Sequence, residues 1–109
     1  MAELEDTPAA EAAIDAHTDP SGVPIVAVSG DLDISNADAL EATVASIVAR
    51  RPERLIFDLT RLRFMDSAGI AVLLGAAAKV QSVHIRNPTP AVRRVVELTG
   101  LSQVLPIES

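Results

Sequence analysis

The chain has 109 residues, enough for one domain with one core, and 49% of them are hydrophobic while only 2% are aromatic. The formal net charge of −6, without a Lys/Arg stripe, argues against a binder of nucleic-acid backbone, and the few aromatics argue against a stacking platform for single strands. With no Cys, disulfides, thiol nucleophiles and thiolate metal sites are excluded.

Residues 1–11 are rich in Glu, Ala and Pro without periodicity and read as a mobile acidic tail before a folded unit over 12–109. The opening Met1-Ala2-Glu3-Leu4-Glu5-Asp6 is too acidic for a signal peptide, and no apolar run approaches a membrane span, so a cytoplasmic protein is expected. Ala12 to Asp19, centred on Ile14, is a strand candidate. Asp19-Pro20-Ser21-Gly22 signals a tight turn, and the β-branched run Val23 to Ser29 completes a predicted hairpin.

Ser35 is the predicted N-cap of a first helix, with Asp38 three residues on. Leu40, Val44, Ile47 and Val48 repeat at helical spacing, and Arg50-Arg51-Pro52 ends the run. Arg54 to Asp58 reads as a buried strand. Asp66 or Ser67 caps a second helix carrying Ile70, Leu73, Leu74, Ala77 and Val80, apolar on most of its surface. Ser82 to Arg86 is a strand. Thr89-Pro90 opens a third helix, with Val92, Val95, Val96 and Leu98 inside it and Gly100 as its stop. Ser102 to Ile107 is a last short strand. The order β-β-α-β-α-β-α-β predicts an α/β domain: a mixed, mostly parallel sheet of four to five strands with three main helices packed on it.

The informative stretch is Phe64-Met65-Asp66-Ser67-Ala68-Gly69, between the apolar strand and the second helix. It sets a hydroxyl beside a carboxylate at a helix N-terminus, where free N–H groups and the helix dipole favour negative charge. Three stretches together resemble the STAS family, in particular the bacterial anti-sigma factor antagonists. They are Gly30-Asp31-Leu32-Asp33, Asp58-Leu59-Thr60 through Gly69, and Asn87-Pro88-Thr89-Pro90 through Gly100-Leu101.

The resemblance implies a partner switch. The unmodified antagonist binds an anti-sigma factor that is a GHKL-type serine kinase and frees a sigma factor; phosphorylation at the position of Ser67 ends the contact. Ala68 stands where the family often has Ser or Thr, which leaves Ser67 the single hydroxyl of the junction. The implied partner surface comprises Asp31, Asp33, Arg61, Arg63, Met65, Asp66, Ser67, Ala68 and Gly69. The segment from Gly75 to Pro90 is shorter than in typical antagonists, which bears on the choice of partner.

Blander roles compete at each position. Ser67 is also an ordinary helix cap, Asp31 and Asp33 also suit turn chemistry, and Arg61 and Arg63 also suit a solvated loop. Asn87 and Thr89 read as turn and cap residues.

An enzyme reading would start from Asp31, Asp33, Asp58 and Asp66, all near strand ends, as a Mg²⁺-dependent phosphoacceptor site. No lysine follows a late strand to serve it, since Lys79 falls in a predicted helix. His17 and His84 lie in separate strands without an evident nucleophile, and Gly30, Gly69, Gly75 and Gly100 are too isolated for a phosphate loop. No catalytic residue, metal site or cofactor is expected, and the chain is expected to be a monomer or weak dimer. The alternative within the fold is an accessory or scaffold subunit, stressosome-like or associated with an ABC lipid transporter, without sigma factor control.

Overall fold

The computed structural model describes residues 12–108. The tail expected over 1–11 lies outside them. The elements in chain order are β1 (Ala13–Thr18), β2 (Pro24–Leu32), α1 (Ala37–Val48), β3 (Arg54–Asp58), β4 (Leu62–Met65), α2 (Ser67–Lys79), β5 (Ser82–Arg86), α3 (Pro90–Leu98), a 3-10 turn (Leu101–Gln103) and β6 (Ile107–Glu108).

The hairpin forms as predicted. The Asp19 carboxylate accepts the Ser21 and Val23 N–H groups, and Gly22 takes the positive φ of 89° that closes the turn. β1 pairs antiparallel to β2, and every other pairing is parallel. The sheet has six strands in the order β1-β2-β3-β5-β6, with β4 attached to β2 off this path. The mixed, mostly parallel α/β architecture with three helices is therefore present, with one strand beyond the expected range.

The added strand is β4. Its burial runs buried, exposed, exposed, buried, a pattern that matches neither strand alternation nor a fully buried run. β2 carries it by changing partners. Ile25, Val26 and Ala27 pair with β3, and beyond an irregularity at Gly30 and Asp31 the strand pairs Asp31 with Phe64 and Leu32 with Met65. Gly30 supplies the left-handed conformation at the switch, φ 84°.

Val26, Val28, Leu55, Phe57, Val83 and Ile85 point from the sheet into one core, with Leu40, Val44 and Ile47 of α1, Leu73 and Ala76 of α2, and Val92 and Val96 of α3. Small aliphatic side chains thus fill the interior, as the composition required.

Two boundaries differ from expectation. The first helix starts at Ala37 with Asn36 at its N-cap, not Ser35. Ser35 is drawn back instead: both its N–H and its hydroxyl donate to the Asp33 carboxylate, which spends it on the turn before the helix. The last strand is only Ile107–Glu108, because Gly100 at φ 75° leads into the 3-10 turn before the chain can extend.

Candidate functional site

The C-terminal ends of β2 and β4 and the N-terminus of α2 meet at one corner of the sheet. Asp66 is the N-cap of α2. Its Oδ1 accepts the N–H groups of Ala68 at 2.9 Å and Gly69 at 3.3 Å, while its own N–H donates to the Leu32 carbonyl at 3.1 Å. The cap thus pins the start of α2 to the end of β2.

Ser67 follows as the first helical residue. It is exposed, and no hydrogen bond ties its hydroxyl to the described residues. The sequence places a phosphate-receiving helix end here, and the structure qualifies that. The N–H groups of Ala68 and Gly69 are already taken by Asp66, so a phosphate on Ser67 would keep the helix dipole but would face a neighbouring carboxylate. Such a group would stand outward and add its charge to the surface.

Gly69 and Met65 lie beneath Ser67. Met65 is only 2% exposed and belongs to the core. Gly69 is buried too, and a Cβ there would lie 2.8 Å from both Leu32 Cδ2 and Met65 Cγ. These two residues, expected on the partner surface by the sequence reading, are instead buried and pack under the first turn of α2. Ala68 is half-buried beside them.

Two exposed apolar residues missing from that reading lie at the same strand ends. Ile34 is 81% exposed and Phe64 is 50% exposed. Phe64 is paired with Asp31 across β2 and β4, and Ile34 follows directly on Asp33. Isolated exposed apolar residues are ordinary, but these two flank the strand end that supports Asp66. Ile34 was legible as an apolar residue between the polar Asp33 and Ser35, whereas Phe64 stands beside the apolar Met65 and gave no such signal; without β4 nothing joined them.

The charged candidates separate into distinct roles. Arg63 Nε lies 3.3 Å from Asp31 Oδ1 across the β2–β4 pair, and Arg63 remains largely exposed. The Asp33 carboxylate is occupied by Ser35, and its N–H donates to Asn36 Oδ1 at 2.9 Å. Asn36 Nδ2 in turn donates to the Asp31 carbonyl at 2.8 Å. Asp33 is thus engaged in turn chemistry, whereas Asp31 presents an ion pair. Arg61 is exposed, and its carbonyl accepts the Gly30 N–H at 3.1 Å. Thr89 stands at the N-cap of α3, but its hydroxyl donates to the Leu62 carbonyl at 2.7 Å and ties α3 to β4. Asn87 sits in a turn at φ 50°.

The carboxylates of the enzyme reading do not share a centre. Asp58 accepts from the Thr60 N–H and hydroxyl, Asp66 from its helix, Asp33 from Ser35, and Asp31 is paired with Arg63.

His84 has neighbours that its sequence position concealed. Its Nδ1 lies 3.1 Å from Glu108 Oε2 and its Nε2 lies 3.4 Å from Ser82 Oγ. Arg86 Nε donates to Glu108 Oε1 at 2.9 Å. The hydrogen bond from His84 holds the Glu108 carboxyl below the ordinary carboxylate value; burial opposes this and Arg86 reinforces it. With Arg86 and Arg54 also on Glu108, these contacts clasp β6 to β5 and β3. Among the described residues no helix is long and apolar enough to cross a membrane.

The chain is similar to known proteins. The STAS domain profile matches residues 14–109. The chain is similar to the anti-sigma F factor antagonist of Paenibacillus polymyxa, 32% identical over 91 residues, which cover 79% of this chain and 78% of that protein. It is equally similar to the anti-sigma-F factor antagonist RsfB of Mycobacterium tuberculosis, 32% identical over 88 residues, 78% of this chain and 72% of that one. The crystal structure of an anti-sigma factor antagonist from Mycobacterium paratuberculosis superposes with a TM-score of 0.84 at 31% identity, covering 93% of this chain and 88% of that chain.

Proposed function

The chain belongs to the STAS domain family, and on that premise we propose that it is an anti-sigma factor antagonist whose contact with its partner is ended by phosphorylation at Ser67. The partner is an anti-sigma factor of the GHKL kinase type, and its capture frees a sigma factor. The role is regulatory. Ser67 is a substrate hydroxyl offered to another protein's active site, in the cytoplasm, by a chain that is monomeric or weakly dimeric.

The observation that carries this reading is the exposed Ser67 hydroxyl on the first turn of α2, beside a capping carboxylate and near exposed Ile34 and Phe64. The apolar pair supplies contact area, the Asp31–Arg63 pair supplies a charged edge, and Ser67 supplies the group that changes.

Phosphorylation adds about −1.5 to −2 charges at neutral pH. An interface closed over a neutral hydroxyl would have to desolvate that dianion next to Asp66. The cost is several kcal/mol, against about 1.4 kcal/mol for each tenfold in affinity. The dipole of α2 tolerates the charge, so the fold survives while the interface fails.

The test is a pull-down with wild type, Ser67→Ala and Ser67→Asp, with mass spectrometry of the captured proteins and of phosphosites. Wild type and Ser67→Ala retain a GHKL-type kinase, and Ser67→Asp loses it. Equal retention by Ser67→Asp refutes the switch, and recovery of an ABC ATPase in place of the kinase supports the accessory-subunit reading.

A further inference from the structure

A groove of about 520 Å³ runs along the outer seam of α1 and α2. Its walls are small and apolar, with Ala42 and Ala45 from α1 and Ala71 and Gly75 from α2. Each helix returns the chain between parallel strands, so the two run in the same direction. Asp38 and Glu41 line the groove near the N-terminus of α1, and Lys79 lines it at the C-terminus of α2. The groove is therefore negative at one end, positive at the other and apolar between.

Gly75 is the unexplained residue. A glycine in a helix interior costs about 0.5–1 kcal/mol relative to alanine. Gly69 has an internal reason, its contact with Leu32 and Met65, but among the described residues nothing lies within 4 Å of where a Cβ of Gly75 would stand. Its small size therefore relieves no contact among the described residues. It lets something outside approach the backbone of α2 closely. Small residues on both walls are what a third helix needs to settle into the seam of two others.

We propose that the α1–α2 groove receives one amphipathic α-helix of a protein partner, antiparallel to α1 and α2, with Lys or Arg in its last turn and Asp or Glu in its first. Asp38, Glu41 and Lys79 have no side-chain ion pair or hydrogen bond among the described residues, so their charges are available. In the antiparallel direction the incoming cations meet Asp38 and Glu41, and the incoming carboxylate meets Lys79. Those charges also suit the dipole of the incoming helix, which itself opposes the dipoles of α1 and α2. A second copy of the chain fits less well, because two bodies of net charge −6 repel. The groove is formed by residues other than Ser67, so the proposal does not depend on phosphorylation.

The probe is a synthetic peptide of about five helical turns with a Leu/Ala stripe, Glu in its first turn and Arg in its last. It is titrated into isotope-labelled protein, and amide chemical shifts are followed by NMR. Shifts centred on Ala45 and Gly75 are expected, with binding about tenfold or more weaker for a peptide whose end charges are exchanged. Gly75→Leu, which fills the groove from an open position, abolishes the shifts and keeps the fold. The triple variant Asp38→Lys, Glu41→Lys, Lys79→Glu reverses the preference between the peptides. Equal binding of both peptides, shifts centred elsewhere, no binding, or self-association of the protein through this seam overturns the proposal.

Discussion

Gly69 is pressed against Leu32 so closely that a Cβ on the glycine would stand 2.8 Å from Leu32 Cδ2. That contact sets α2 against the end of β2 and holds Ser67 where it is. Gly69→Ala must displace either the helix or a buried leucine, and overpacking of this kind costs about 1–3 kcal/mol. Its melting temperature is expected several degrees below that of wild type. Gly75→Ala in the same helix meets open space and gains up to about 1 kcal/mol from helix propensity. Thermal denaturation of the two variants compares the positions directly.

The cap makes a second prediction. Asp66→Ala removes the acceptor of the Ala68 and Gly69 N–H groups and should lose about 0.5–2 kcal/mol. Asp66→Asn keeps an oxygen in place and should recover part of the loss. Urea unfolding midpoints measure both.

Ser67 should behave in the opposite way. Its exposed hydroxyl makes no hydrogen bond among the described residues, so Ser67→Ala should stay within about 0.5 kcal/mol of wild type. Ser67→Asp puts a carboxylate on the first turn of α2 and should be neutral or gain about 0.3–1 kcal/mol. A large loss of stability in Ser67→Asp would mean that its failure to bind a partner reported misfolding.

Ile34 and Phe64 are predicted anchors of the partner surface. Ile34→Ala and Phe64→Ala should leave the melting temperature close to wild type and weaken partner capture by about 1 kcal/mol or more each. Calorimetric titration with the captured partner reads the two effects.

Glu108 links stability to acid. Its folded carboxyl is held below the ordinary value of 4.5, chiefly by His84, so the unfolded chain takes up the proton first as the pH falls. The clasp contributes in full above the unfolded value and is lost as the pH drops through the lower, folded one. The difference in urea midpoint between wild type and Glu108→Gln should therefore be full at neutral pH and shrink as the pH falls below the ordinary value of 4.5.

Much of this protein follows from local chemistry. The Asp19 turn, the Asp66 cap, the proline at the start of α3 and the strand over residues 54–58 each depend on neighbours within a few positions, so residue order determined them. The four-letter stretch from Asp66 to Gly69 likewise carried its meaning in its own order. Ser35 shows where local reasoning divides: two short polar side chains competed for one turn, and the contact with Asp33 prevailed over the helix cap.

Tertiary structure decided what lies far apart in the chain. β4 exists because Leu62 and Met65 fit a partner strand ending at Leu32, and its short, non-alternating pattern could not announce that. The Asp31–Arg63 pair, the Thr89–Leu62 hydrogen bond and the His84–Glu108 clasp all join residues that become neighbours only when parallel strands set their register. Register also separated Met65, which faces the core, from Phe64, which faces solvent. Successive side chains of a strand point to opposite faces, and only the sheet determines which face is buried.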